Sequence, residues 1–136
     1  MSLLLDSHVL EWAFNGDPRL SSPARLAIAS EHADTLFVSD VTLVELARHV
    51  HTGKILVIGH GVDWLRKASA QVTVLPVTPD IAWRAAELNW DEKGKPHKDP
   101  ADRLIVATAL AHGLPLATKD AKMHELASRI GLYVVW

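Results

Sequence analysis

The chain has 136 residues, 49% of them hydrophobic, with a mean hydropathy of +0.10, enough for one compact domain, residues 1–136, with little room for a second. A formal net charge of −2 and a pI near 6.4 argue against a broadly basic, duplex-binding surface. The lack of cysteine excludes disulfides, thiol catalysis, zinc-thiolate sites and iron-sulfur clusters. No apolar run approaches the ~18 residues that span a bilayer, and no signal-peptide pattern opens the chain, so a soluble, cytoplasmic protein without a membrane partner is expected.

Ser2-Leu3-Leu4-Leu5 reads as a buried strand ending at Asp6-Ser7, from which a helix runs to Trp12 or Phe14. After the turn Asn15-Gly16-Asp17-Pro18, a second helix is expected from Ser22 as cap, with Pro23 at its first position, to about His32. Thr35–Ser39 is a second strand. Ser39 or Asp40 caps a third helix with an apolar stripe (Leu43, Leu46, Ala47, Val50) and a polar one (Thr42, Glu45, Arg48, His49), stopped by Gly53. The segment 54–61 is compatible with a strand or a turn, and a helix over 62–70 follows. Val72–Leu75 alternates and is β-branched, hence a strand. Pro79-Asp80 opens a helix to about Trp90, and Asp91–Lys98 is a polar loop. A largely apolar helix over 100–112 ends at Gly113. Leu114–Thr118 is a strand, Lys119-Asp120 opens a helix to about Arg129, and Leu132–Val135 is the last strand.

Short apolar strands alternating with helices predict an α/β fold, a three-layer α/β/α sandwich with a mainly parallel central sheet. In such sheets ligands bind beyond the C-terminal ends of the strands. Five acids belong near that rim. Asp6 follows the first strand, Glu45 lies one turn into the third helix, and Asp120 follows the Leu116 strand. Pro100 fits the first position of a helix, which makes Asp99 the N-cap and puts Asp102 at its third position, on the same face. For all but Glu45 a plain helix-capping role explains the residue equally well. Capping and catalysis differ in one respect: catalysis needs the acids to converge, and convergent carboxylates repel unless a cation neutralises them. Oxygen ligands without Cys or a His pair select Mg²⁺ or Mn²⁺, whose chemistry includes phosphodiester hydrolysis by an activated water.

The succession Leu-Leu-Leu-Asp6-Ser7, Val-Thr-Leu-Val-Glu45-Leu-Ala, His97-Lys-Asp99-Pro-Ala-Asp102-Arg103 and Leu-Ala-Thr118-Lys119-Asp120 resembles PIN-domain ribonucleases. It is similar in particular to VapC-type toxins of toxin-antitoxin pairs that carry the His-x-Asp-Pro-x-Asp-Arg motif. The resemblance spans essentially the whole chain. It implies a PIN-like fold and a Mg²⁺-dependent endoribonuclease (Mn²⁺ as a substitute) in which Asp6, Glu45, Asp102 and Asp120 serve the metal and catalysis. Asp99 is then an additional acid, acting as cap or outer-shell group, with Asp102 preferred as the direct ligand. Ser7 and Thr118 are implied as supporting polar groups. The resemblance also implies a homodimer, an RNA substrate (tRNA, rRNA or mRNA) and a cognate antitoxin whose tail fills the acidic pocket.

The loop preceding the motif is richer in lysine than the motif requires, and Lys93, Lys95, Lys98, Arg103 and Lys119 could steer phosphates toward the acids. His97, next to the acids, could orient one of them or contact a phosphate. The remaining histidines and the tryptophans read as surface, capping, core or interface residues. Two alternatives stay open: a receiver-like phosphoacceptor domain, weakened because Asp6 stands alone after the first strand, and a catalytically silent PIN-like binding scaffold.

Overall fold

The computed structural model describes residues 1–136 except the side chain of Glu92. The elements are β1 (Leu3–Leu5), α1 (Ser7–Asn15), α2 (Ser22–Ala29), β2 (Leu36–Ser39), α3 (Asp40–His51), α4 (Gly61–Ser69), β3 (Thr73–Leu75), α5 (Pro79–Glu87), β4 (Asp91–Glu92), β5 (Lys95–Pro96), α6 (Pro100–His112), β6 (Leu116–Ala117), α7 (Ala121–Ile130) and β7 (Val134–Val135). Five strands form one sheet in the order β3-β2-β1-β6-β7, and all its pairings are parallel. With β1 in the middle and two strands on either side, this order differs from the receiver-like 2-1-3-4-5 arrangement, and the phosphoacceptor alternative is set aside.

The three layers follow from the two-residue alternation of side chains along a strand. Leu3 and Leu5 of β1, with Leu36 and Val38 of β2, face a core completed by Val9, Leu10 and Trp12 of α1, Ala24 of α2 and Leu46 of α3. Leu4, between them in sequence, faces the opposite core with Ile105, Val106 and Ala109 of α6 and Met123 and Leu126 of α7. Helix α5 lies outside, packed on α6 through Ile81, Ala85 and Ala107. Among the described residues no helix is long and apolar enough to cross a membrane.

Four expectations change. Ser21 caps α2, its side chain accepting from Ala24 N, and the helix ends at Ala29. Helix α5 stops at Glu87, three residues before Trp90, because the carbonyls of Ala85 and Leu88 are taken by the Arg103 guanidinium at 3.0 and 2.9 Å. Trp90 turns inward instead, buried and stacked on His97 with ring centroids 3.8 Å apart. The polar run is a hairpin, β4 paired antiparallel with β5. Its turn, Lys93-Gly94, has both φ angles positive, 50° and 78°, as a two-residue mirror-image turn requires. On α3, Thr42 is fully buried, whereas Ala47 of the expected apolar stripe is exposed.

Candidate active site

Helices α1, α3 and α7 each begin where a parallel strand ends, so their N-termini share one edge of the sheet. Three acids are N-caps there or beside it. Asp6 accepts from Ser7 N, Asp99 from Ala101 N and Asp102 N, and Asp120 from Lys122 N. Asp102 lies in the first turn of α6. The capping expectation therefore describes the local bonds well, and electrostatics shows what it omits. Asp102 is influenced by the charges of Asp99, Asp6 and Asp120, Asp6 by Asp120, and Glu45 by Asp6 and Asp99. Five acids from four elements converge on one rim.

Their proton affinities register this crowding. Burial, reinforced by the Asp120 charge, raises the Asp6 carboxyl above its ordinary value, although His8, Thr118 and Ser7 N oppose the shift. Burial likewise raises Glu45. Asp102 is pushed up to about 7, first by burial and then by Asp99, Asp6 and Asp120, against the opposing hydrogen bond from His97. Among the described residues no three carboxylate or imidazole groups close around a single point. The acids share one rim without forming a closed three-group cluster.

The supporting residues fix the acids from behind. Ser7 Oγ donates to Glu45 Oε1 at 2.6 Å and lies 3.0 Å from Thr42 Oγ1. A hydroxyl has one hydrogen, so Thr42 must donate to Ser7, and the relay Thr42–Ser7–Glu45 runs across α1 and α3. This explains the burial of Thr42. Thr118 Oγ1 donates to Asp6 Oδ2 at 2.7 Å and accepts from Asp120 N at 3.0 Å. On the other flank His97, buried under Trp90, shares a 2.8 Å hydrogen bond between its Nε2 and Asp102 Oδ2.

Two of the basic residues singled out in the sequence, Arg103 and Lys119, have other contacts. Arg103 spends its guanidinium on the carbonyls of His97, Ala85, Leu88 and Trp90, at 2.5 to 3.4 Å, a use different from the expected phosphate contact. Lys119 Nζ lies over the Trp12 ring, 5.5 Å from its centroid.

One neighbour of the acids escaped the sequence reading. His8 Nδ1 is 3.4 Å from Asp6 Oδ2, and its Nε2 accepts from Lys119 N at 3.1 Å. Because Nε2 accepts that bond, the ring proton sits on Nδ1, on the side of Asp6; burial lowers the His8 pKa, against the raising charges of Asp6 and Asp120. Its only sequence signal is proximity to Asp6, two residues away.

Three comparisons relate the whole chain to known proteins. A profile described as the PIN domain matches residues 3–128. The chain is 39% identical over 124 residues to "Ribonuclease VapC22" of Mycobacterium tuberculosis, covering 91% of each chain. Among solved structures it is similar to a toxin-antitoxin complex from Klebsiella pneumoniae, with 25% identity, a TM-score of 0.69, and 99% of this chain and 97% of the other covered. It also superposes on VapBC2 from Rickettsia felis bound to a DNA fragment from their promoter, with 20% identity, a TM-score of 0.71, and 98% and 97% covered.

Proposed function

The chain belongs to the PIN-domain family, among its VapC-type ribonucleases, and from that premise we propose that it is a divalent-cation-dependent endoribonuclease, the toxin of a toxin-antitoxin pair. The observation that carries the reading is the convergence of Asp6, Glu45, Asp99, Asp102 and Asp120, with three of these carboxyls raised in pKa by burial and mutual repulsion. Separate helix caps would have no reason to repel one another.

The donor set fits a hard cation: it offers only carboxylate oxygens, without thiolate, and holds more negative charge than its own cations compensate. Asp6, Asp102 and Asp120, with Glu45 beside them, would hold Mg²⁺ or Mn²⁺. When bound, such an ion supplies charge neutralisation and Lewis acidity at a phosphodiester. The protein's own part is positional. Thr118 and Ser7 N fix the Asp6 carboxylate, and the Thr42–Ser7 relay holds Glu45 against α1. His97 pins one oxygen of Asp102 and leaves the other for the pocket.

The exposed apolar side chains Val44, Leu56, Ile58 and Val62 around α3 and α4, and Trp83 on α5, supply surfaces that an antitoxin and a second copy of the chain would cover. The test is incubation of the purified protein with tRNA, rRNA and mRNA transcripts, with Mg²⁺ or with chelator, beside Asp6→Asn and Asp102→Asn. Defined fragments that require the ion and vanish in both variants are expected. Intact RNA under every condition would favour the silent binding scaffold.

A further inference from the structure

Five of the chain's seven lysines fall between positions 93 and 122, against a net charge of −2 for the whole chain. Three of them, Lys93, Lys95 and Lys98, are carried on or just after the β4–β5 hairpin, all exposed. None of the three makes an ion pair among the described residues, unlike Arg19 with Asp17 and Arg66 with Asp63. They line a groove of about 750 Å³ between the hairpin and α7, with Lys122 on its far wall and Asp91 and Glu125 as its acids among the described residues.

Two features distinguish this groove from an ordinary solvated loop. Lys93 occupies the left-handed region at φ 50°, where Asn, Asp or Gly is preferred and an ordinary side chain costs about 1–2 kcal/mol. The chain thus accepts local strain and places an ammonium group at the hairpin tip. Lys98 also lines a second cavity, of about 490 Å³, with Arg48, Glu45 and Asp99. One lysine therefore joins the acidic rim to the hairpin groove, and a strand leaving the acids past Arg48 and Lys98 arrives at Lys95 and Lys93.

We infer that the β4–β5 hairpin and Lys98 form a track for the phosphate backbone of single-stranded RNA flanking the bond to be cut, with Lys93 and Lys95 as contacts outside the acidic rim. The inference deepens the ribonuclease reading and rests on it. Spaced ammonium groups along a groove grip a polyanion without reading its bases. The hairpin is held at fixed distance from the acids, because His97 and Trp90 stack at its base and Arg103 ties down the carbonyls of both. It therefore sets where a bound strand crosses the acids.

The experiment is fluorescence anisotropy of a labelled single-stranded oligoribonucleotide of mixed sequence, in chelator so that binding is read without cleavage, across a KCl series. Parent, Lys93→Gln/Lys95→Gln and the distant surface control Lys67→Gln are compared. Each lost phosphate contact lowers the slope of log affinity against log salt by about 0.7 for a single strand, so the double variant loses about 1.4 in slope and, by the same relation, about tenfold in affinity at about 0.2 M salt. Lys67→Gln keeps the parent's values. Equal slopes for parent and double variant, equal losses in the control, or no RNA binding by the parent would overturn the track. Weaker binding of an acidic antitoxin segment with unchanged RNA binding would overturn it too. A parent that binds with the expected slope yet never cuts RNA with Mg²⁺ would remove the ribonuclease reading and leave the track standing.

Discussion

Thr118 Oγ1 donates to Asp6 Oδ2 over 2.7 Å, across 112 residues of sequence, and the same hydroxyl oxygen accepts Asp120 N–H at 3.0 Å. One buried hydroxyl thereby spaces two acids that repel each other. Thr118→Val keeps the volume and removes the hydroxyl, so Asp6 Oδ2 loses its 2.7 Å donor and Asp120 N–H is left without its acceptor, at a cost of about 1–3 kcal/mol. A lower urea midpoint is expected, with cleavage reduced about tenfold or more because Asp6 is no longer held. Thr118→Ser should restore most of both. A Val variant with the parent's midpoint and rate would show that the hydroxyl positions nothing.

Asp102 gives stability a pH dependence of definite sign. Its carboxyl is raised from 3.8 to about 7 in the folded chain, so the folded state holds that proton more tightly than the unfolded state. Stability is then fully present below pH 3.8 and is lost as pH rises toward 7. Asp6 and Glu45, also raised, act in the same direction. In divalent-free buffer, urea unfolding should show a loss on the order of 2 kcal/mol between about pH 5 and pH 8. Asp102→Asn should flatten most of that loss and be the more stable protein at the upper pH. A variant as pH-sensitive as the parent would place the strain elsewhere on the rim.

Arg103 belongs to the motif by sequence and to the scaffold by structure. Its fork meets four carbonyls, from His97, Ala85, Leu88 and Trp90, which a lysine ammonium with three donors and no plane cannot match. Arg103→Lys should cost about 2 kcal/mol and speed amide exchange over residues 88–98, the segment that carries the hairpin and His97. Unchanged exchange there would mean that the Trp90–His97 stack alone holds the segment.

These cases mark where the sequence is informative. The limits of α6 are explicit in it, because Asp99-Pro100 opens a helix and Gly113 closes it in the left-handed region. The five acids are likewise legible, four of them capping or opening a helix at an edge that parallel topology makes common and Glu45 lying one turn into α3. The end of α5 is not, because it depends on an arginine fifteen residues beyond Leu88. The hairpin is hidden because strands of two residues carry no periodicity, and a lysine at its tip conceals the turn. Thr42 reads as polar surface until Ser7, 35 residues away, appears beside it. Long-range partners decide the end of α5 and the burial of Thr42, and local pattern contains neither.

The same long-range convergence predicts ion binding that isolated caps would not give. Mn²⁺ titrated by calorimetry into the chelator-treated protein should bind, and Asp6→Asn/Asp102→Asn should abolish the heat. Binding requires ionised carboxylates, and Asp102 near 7 is largely protonated at about pH 6, so the ion must displace a proton there. At that pH the measured heat should therefore vary with the ionisation enthalpy of the buffer, and affinity should rise as pH increases through 7. At about pH 8, where Asp102 is already ionised, the buffer dependence should fade. A binding heat that ignores the buffer at about pH 6 would mean that the ion displaces no proton from Asp102. No binding at either pH by the folded parent would leave the acids as caps that merely crowd one edge of the sheet.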